Sequence, residues 1–217
     1  MGQFILKAAS LLSLLAVLSC GGGGGGGSSD PEPSLPQKSR QPVVLLFGDE
    51  ILESLSSPLC SSLWPYNRSE GGLMAVHAVA KFKAAVDVIR PAIVILQIGT
   101  NDLAQRDRLD VPLGAYLDAM RGMVGYARAR NLTVILGSLT PVCGEVQEAW
   151  RPPEVIREYN AALYSLALDF GARWVDLYGP MVGPDGKARE DYVIDGLHPS
   201  PLGYGVLEIE ICGAVYQ

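Results

Sequence analysis

The stretch Pro42-Val-Val-Leu-Leu-Phe-Gly-Asp-Glu50-Ile51 marks the predicted start of the folded domain. Its apolar run from Val43 to Phe47 lies between a proline and a glycine, which is typical of a fully buried β-strand. Helical spacing of apolar residues begins at Ile51, so Gly48-Asp49 predicts a strand-to-helix turn. In open α/β sheets, ligands bind beyond the carboxyl ends of the strands. We therefore expect a functional site at this turn.

Apolar strands and amphipathic helices alternate along the rest of the chain, whose 217 residues are 48% hydrophobic. This alternation implies a parallel sheet that is covered on both faces, and right-handed crossovers then produce three layers. We predict one three-layer α/β/α domain with a flavodoxin-like parallel sheet over residues 43–217. Later strands are predicted at 92–98, 132–136 and 173–177, with a short strand near 63–64, and helices at 51–57, 73–86, 113–127, 154–170 and 201–215.

Two segments of the predicted domain carry further expectations. The loop over residues 138–153 is long for a compact domain, and loops of that length are commonly functional. We expect it to form a lid or a substrate wall. In the last helix, the predicted buried positions are Leu202, Val206, Ile209 and Val215.

The first twenty residues resemble an export signal. The apolar run from Ala8 to Leu18 is too short to span a bilayer and follows Lys7, so we predict a secretory signal peptide over residues 1–19. Val17-Leu18-Ser19-Cys20 resembles a bacterial lipobox, which implies that Cys20 receives lipid after cleavage. The alternative is an ordinary secreted protein in which Cys20 has no special role.

A flexible tether is predicted over residues 20–42. The glycine run from Gly21 to Gly27 cannot pack, and the prolines that follow extend the spacer. Together with Cys20, this predicts a lipid-anchored protein of the bacterial cell envelope, facing the periplasm or at the outer membrane. The formal net charge of −6 and the lack of a basic cluster argue against a nucleic-acid partner.

Three cysteines remain after Cys20: Cys60, Cys143 and Cys212. Exported proteins fold in an oxidising compartment, so one disulfide can form among the three, but the sequence does not indicate which pair. None of the cysteines has metal-ligand spacing, and we predict neither a metal nor a cofactor.

Three sequence blocks together resemble the SGNH (GDSL-type) esterase and lipase family. They are Gly48-Asp49, Gly99-Thr100-Asn101-Asp102 and Asp195-Gly196-Leu197-His198-Pro199, and they occur in the family's order. The resemblance covers the chain after Pro42. It implies hydrolysis of acyl esters, with short-chain esters, lysolipids or acetylated glycans as the substrate classes.

The resemblance also implies roles for particular residues. His198 would be the general base, and Asp195 would orient its ring. The oxyanion donors would be the backbone N–H groups of Glu50 and Gly72 and the side-chain amide of Asn101. Simpler roles are also open: Asp195 could cap a helix, Gly72 could be a turn glycine, and Asn101 could bind its own backbone.

Glu50 stands where the family has its nucleophilic serine. If a carboxylate attacked an ester, the intermediate would expel the carboxylate more readily than the alkoxide and collapse backwards. The oxyanion donors would also bind an anionic side chain, unless Glu50 pairs instead with protonated His198. We therefore consider a weak hydrolase in which His198 activates water, and a pseudoenzyme that binds a glycan or acyl ligand. A divalent-metal site formed by Glu50, Asp195 and His198 is the least favoured hypothesis.

The lipobox resemblance leads to a first prediction. Expressed in a bacterial host, the protein should partition with membranes and gain mass at Cys20, and Cys20→Ser should abolish both, because only a thiol at that position accepts the lipid. Membrane fractionation and intact mass spectrometry measure the two effects, with Cys143→Ser as the control that retains them. A soluble, unmodified wild-type protein would contradict the predicted anchor.

Overall fold

The computed structural model describes residues 41–55 and 57–217. The predicted signal peptide over 1–19, the lipidation site Cys20 and the tether as far as residue 40 lie outside the described residues.

Five parallel strands form one sheet, and their spatial order is β2-β1-β3-β4-β5. This order places β1 beside β3 in the middle of the sheet, which confirms the predicted flavodoxin-like α/β fold. The strands are β1 (Val44–Gly48), β2 (Tyr66–Asn67), β3 (Ile93–Gln97), β4 (Thr133–Gly137) and β5 (Arg173–Val175).

Helices cover both faces of the sheet. They are α1 (Glu50–Glu53), α2 (Ala75–Ile89), α3 (Thr100–Gln105), α4 (Leu113–Arg128), α5 (Glu145–Trp150), α6 (Pro153–Phe170) and α7 (Pro201–Val215), with 3₁₀ turns at Gly179–Met181 and Glu190–Tyr192. In the described part of the chain, no helix has the length and apolar character that crossing a bilayer requires.

The alternation of side chains along β1 explains why this strand is apolar throughout. Leu45 and Phe47 point into one core with residues of α2, α4 and α6, whereas Val44 and Leu46 point into a second core with residues of α1 and α7. All four side chains are buried, and full burial of one such side chain stabilises the fold by about 1.5–3 kcal/mol. The two cores hold the carboxyl end of β1 in place.

The structure corrects two of the predicted elements. The strand beside β1 is not at 63–64 but at Tyr66–Asn67, and Leu63 forms only an isolated bridge with Leu59. The helix after β1 ends at Glu53, earlier than predicted. The predicted loop over 138–153 contains α5, so it is partly helical.

In α7, the predicted bounds are right, but half of the predicted buried positions are wrong. Leu202 and Ile209 are exposed, whereas Leu207, Ile211 and Ala214 are buried together with Val215. The reason is that apolar residues occur on every side of this helix, so their spacing does not define one buried face.

A disulfide joins Cys60, in the loop after α1, to Cys212 in α7. Cys143 has no disulfide partner in the described part of the chain. The bond closes a loop with a sequence separation of 152 residues. Closing a long loop restricts the unfolded chain strongly, so the disulfide should stabilise the fold.

This disulfide provides a prediction about stability. Replacing Cys60 and Cys212 together by serine should lower the free energy of unfolding by about 2–5 kcal/mol, because the unfolded chain regains the entropy of the open loop. Urea unfolding followed by circular dichroism measures the loss. Cys143→Ser, which removes a thiol without opening a loop, is the matched control, and equal stability of the double variant and this control would contradict the prediction.

Candidate active site

The site lies at the carboxyl ends of β1 and β3. The two strands pair in parallel register, with Gly48 opposite Gln97, so the turns that follow them meet at one edge of the sheet. Asp49 and Glu50 follow β1, and Asn101 lies in α3 after β3. This is the edge where open α/β sheets bind ligands.

Asp49 is fully buried and joins these two turns. Its Oδ1 accepts a hydrogen bond from the backbone N–H of Ile51, and its Oδ2 accepts from those of Gly99 and Thr100, both at 3.1 Å. Burial raises the pKa of Asp49 to about 7, and the neighbouring Glu50 carboxylate adds to this rise, while hydrogen bonds from Thr100 and Ile51 oppose it. The sequence had indicated only that this residue lies in a strand-to-helix turn.

Glu50 binds two of the donors that the family resemblance assigns to an oxyanion. Its Oε2 accepts from the backbone N–H of Gly72 at 2.9 Å and from the side-chain amide of Asn101 at 2.8 Å. Gly72 has a φ of +76°, a conformation that favours glycine. The side-chain amide of Asn101 donates to Glu50 and also lies 3.4 Å from the carbonyl oxygen of Leu73. It does not bind its own backbone, which was the simpler role considered for it.

The position of Gly72 depends on a second buried carboxylate. Asp102 accepts hydrogen bonds from the N–H groups of Ala75 and Val76, at 2.7 and 3.2 Å, in the first turn of α2. The residue at the N-cap of α2, Met74, makes no side-chain cap. Asp102 therefore caps α2 from α3 and holds the turn containing Gly72 beside Asn101.

His198 and Asp195 form a pair in the loop before α7. Asp195 Oδ2 lies 2.7 Å from His198 Nδ1, and its Oδ1 accepts from the N–H groups of Leu197 and His198. Although partial burial opposes it, these hydrogen bonds from His198 and Leu197 lower the pKa of Asp195 to about 2. Asp195 thus stays ionised at neutral pH and fixes the ring of His198. The cap of α7 is Ser200, whose Oγ accepts from Gly203 N.

Gly196 lets the loop that carries His198 approach the chain after β4. It has a φ of +83°, and its carbonyl accepts from Cys143 N at 2.9 Å. A Cβ at this position would collide with the carbonyl oxygen of Cys143. The conformation of the loop that carries Asp195 and His198 therefore depends on Gly196 as well.

The alternative arrangements of Glu50 considered above are not found. Among the described side chains, the carboxylate in contact with the His198 ring is that of Asp195, and Glu50 makes no such contact. No group of three metal-binding side chains occurs in residues 41–55 and 57–217, so Glu50, Asp195 and His198 do not assemble the metal site that was the least favoured hypothesis.

Arg151 is a site residue that the sequence analysis missed. It follows α5, is only 7% exposed, and donates from Nε to the carbonyl of Thr100 at 2.9 Å and from Nη1 to Gln147 Oε1 at 2.6 Å. The available signal was the long segment over 138–153, which was predicted to be a lid or a wall. That segment supplies a buried cation that holds α3 in place beside Asn101.

Arg151 also connects the two halves of the site electrostatically. Burial lowers the pKa of its guanidinium, and the carboxylates of Glu50, Asp49 and Asp195 oppose this shift. Arg151 and Leu197, the residue before His198, line one cavity together with Ala104 and Gln105 of α3. The structure joins Glu50 to Gly72 and Asn101, and His198 to Asp195, and the catalytic roles of these residues stay predictions.

The parallel sheet and these convergent blocks define the architecture of an acyl hydrolase. The model of the GDSL-like lipase/acylhydrolase family matches residues 57–206, and the chain belongs to this family. The matched region begins after Glu50, so family membership does not depend on the residue at the nucleophile position.

Individual relatives agree with this assignment. The isoamyl acetate-hydrolyzing esterase 1 homolog of Bos taurus is 29% identical over 196 residues, covering 75% of this chain and 76% of its own. A GDSL-like lipase from Bacteroides thetaiotaomicron has a similar structure, with a TM-score of 0.73, 25% identity, and coverage of 80% of this chain and 87% of that one. An acetyl-xylooligosaccharide esterase from Geobacillus shares the fold, with a TM-score of 0.63, 18% identity, and coverage of 80% and 94%.

The raised pKa of Asp49 leads to a prediction about pH and stability. Folded Asp49 keeps its proton to about pH 7, whereas the unfolded chain releases it near pH 4, so this group lowers the free energy of unfolding as pH rises through that window. Glu50→Gln removes the neighbouring charge and should lower the pKa of Asp49. Relative to wild type, the variant should gain about 1.4 kcal/mol between pH 4 and pH 7 for each unit by which this pKa falls.

Urea unfolding at several pH values measures this gain. Glu53→Gln is the control, because Glu53 is exposed on the same short helix and does not contribute to the pKa shift of Asp49. A difference between Glu50→Gln and wild type that does not change with pH would contradict the prediction.

Proposed function

We propose that the protein is an acyl-ester hydrolase of the cell envelope whose site is closed at rest by its own Glu50 carboxylate, so that its activity is weak. The observation that carries this proposal is the binding of Glu50 Oε2 to both Gly72 and Asn101. Hydrolysis would use water activated by His198 in place of a serine. The lipid anchor at Cys20 and the envelope location belong to the proposal and rest on the sequence.

The distances explain why activity would be weak. Donors of an oxyanion hole lie about 2.7–3.1 Å from the oxyanion that develops in the transition state. Glu50 Oε2 lies 2.9 Å from Gly72 N and 2.8 Å from Asn101 Nδ2, so one carboxylate oxygen occupies the corresponding place. A substrate carbonyl must displace this anion before the two donors can stabilise its developing charge.

The pair of His198 and Asp195 is suited to activate water. Asp195 binds the Nδ1 side of the ring, which leaves Nε2 of His198 as the nitrogen that can accept a proton. The proton passes from water to Nε2 as the water oxygen attacks the ester carbonyl, and the imidazolium then returns it to the departing alkoxide. Asp195, with a pKa of about 2, remains a carboxylate throughout and stabilises the imidazolium.

Glu50 itself is a poor nucleophile for this reaction. Its attack on an ester would produce an intermediate with two leaving groups, and the carboxylate leaves more readily than the alkoxide. Covalent catalysis by carboxylates is established for glycosidic carbon, where a sufficiently stable covalent intermediate forms. Glu50 therefore occupies the oxyanion donors, and water supplies the oxygen that attacks the ester.

Acyl esters are the substrate class that the relatives support. The bovine relative is named for the hydrolysis of isoamyl acetate, and the Geobacillus enzyme for acetylated xylo-oligosaccharides. Both names describe esters of a small acyl group. We propose esters of this kind, carried by a lipid or a glycan at the envelope, for the present protein.

A second candidate function is a pseudoenzyme that binds a glycan or acyl ligand without hydrolysing it. The same observation favours it, because Glu50 satisfies both donors in the resting site. The two candidates differ in whether a substrate carbonyl can displace Glu50. Turnover by the wild-type protein that depends on His198 separates them.

The proposal predicts a gain of activity in the Glu50→Ser variant. Serine supplies a hydroxyl nucleophile and leaves the donors of Gly72 and Asn101 open, so hydrolysis of 4-nitrophenyl acetate should rise above the wild-type rate. An increase of about 10²–10³-fold is expected, which is the contribution typical of one oxyanion-hole donor. A second change, His198→Ala, should remove the gain. Glu50→Gln removes the charge without adding a nucleophile and should yield a much smaller increase.

Each outcome of this assay decides something. Wild-type activity that His198→Ala abolishes supports the weak hydrolase, and wild-type activity at the level of His198→Ala supports the pseudoenzyme. A folded Glu50→Ser variant without any gain on short acyl esters contradicts a hydrolase site closed by Glu50. A wild-type protein faster than Glu50→Ser would show that Glu50 takes part in catalysis.

A further inference from the structure

A cavity of about 270 Å³ lies between α3, α5 and the loop that carries His198. We call it the arginine pocket, because two arginines line it together with an aromatic and two aliphatic side chains. These residues are Arg108, Arg151, Trp150, Val146 and Leu197. Neither the family assignment nor the residues discussed for hydrolysis account for this combination.

The arginine pocket is lined by residues of the two segments that carry Asn101 and His198. On α3, Ala104 and Gln105 line the pocket and lie three and four residues after Asn101, so the three side chains share one face of the helix. On the opposite side, Leu197 lines the pocket and directly precedes His198. A group attached to an ester carbonyl between Asn101 and His198 would therefore extend into this pocket.

The charges of the pocket favour an anion. Arg151 is 7% exposed, and neither it nor Arg108 forms an ion pair with any side chain in the described residues. No aspartate or glutamate lines the cavity. Two hydrogen-bond acceptors and the carboxylates of the active site only partly offset the cost of burying Arg151, since its pKa stays below the usual value. A ligand carboxylate would therefore stabilise its charge further.

The remaining walls favour a small group with an apolar stem. Trp150 is partly exposed and has the guanidinium of Arg108 5.7 Å from its ring centroid, and Val146 and Leu197 provide aliphatic surface. The volume is below the roughly 300–1,000 Å³ of pockets that hold drug-sized ligands. An acyl group of a few carbons that ends in a carboxylate matches these walls and charges.

We propose that the arginine pocket binds the carboxylate of a short acidic acyl group, so that the substrates are monoesters of small dicarboxylic acids. Arg151 already donates from Nε to Thr100 and from Nη1 to Gln147, so its Nη2 group binds the ligand carboxylate, and Arg108 adds charge at the rim. This inference deepens the proposed ester hydrolysis and rests on it for turnover. Binding of the acidic group can be measured without turnover.

The test compares an acidic and a neutral ester of the same acid. Isothermal titration calorimetry on the purified full-length wild-type protein measures the affinity for monomethyl glutarate and for dimethyl glutarate. We expect the monoester to bind at least 10-fold more tightly, because only it carries a free carboxylate. Arg108→Glu should weaken its binding at least 10-fold and leave the diester unaffected. Arg121→Gln is the control, since it neutralises an exposed arginine on α4 outside the pocket.

Several results would overturn the inference. These are equal affinity for the two esters, absence of binding by both, and an effect of Arg108→Glu no larger than that of Arg121→Gln. Inorganic phosphate that displaces the monoester with equal or higher affinity would also overturn it, because the pocket would then recognise phosphate rather than a carboxylate. If the monoester binds as expected but the Glu50→Ser variant is inactive, carboxylate binding in the arginine pocket is supported and the proposed ester hydrolysis is contradicted. If the Glu50→Ser variant is active but the monoester does not bind as expected, only the inference about the arginine pocket is contradicted.

Discussion

The buried carboxylate of Asp49 is the contact on which the geometry of the site depends. It lies after β1 and binds the backbone N–H groups of Gly99 and Thr100 after β3, so a single side chain joins two neighbouring strand ends. Glu50 and Asn101 are the next residues along each turn. Their approach to 2.8 Å therefore follows from a contact made one residue earlier in both segments.

This arrangement places the carboxylates of Asp49 and Glu50 side by side at the N-terminus of α1, where their negative charges repel each other. The charge of Glu50 contributes to the raised pKa of Asp49, and Asp49 in turn has no access to solvent. Two hydrogen bonds from Gly72 and Asn101 offset the repulsion at Glu50. The donors that would stabilise a transition state in a serine enzyme of this architecture thus stabilise the resting protein here.

A single cation balances the negative charge of the site. Arg151 binds the carbonyl of Thr100, and three carboxylates, two in the turn after β1 and one in the loop before α7, affect its pKa. Its guanidinium forms no ion pair among the described side chains, so part of its charge remains available to the adjoining cavity. The positioning of α3 and the recognition of an acidic ligand would therefore depend on one residue.

The sequence alone determined the fold class, the order of the longer strands and helices, and the family, because runs of apolar residues and short polar blocks at strand ends are local patterns. It also located His198 and Asp195, whose contact spans only three residues. Tertiary structure decided the rest. The buried face of α7, the pairing of β2 with β1 and the Cys60–Cys212 disulfide all depend on packing between distant segments. The same holds for Glu50, which could bind His198 or the oxyanion donors, and for Arg151. Their contacts span 22 to 51 residues of chain and leave no periodicity in the sequence.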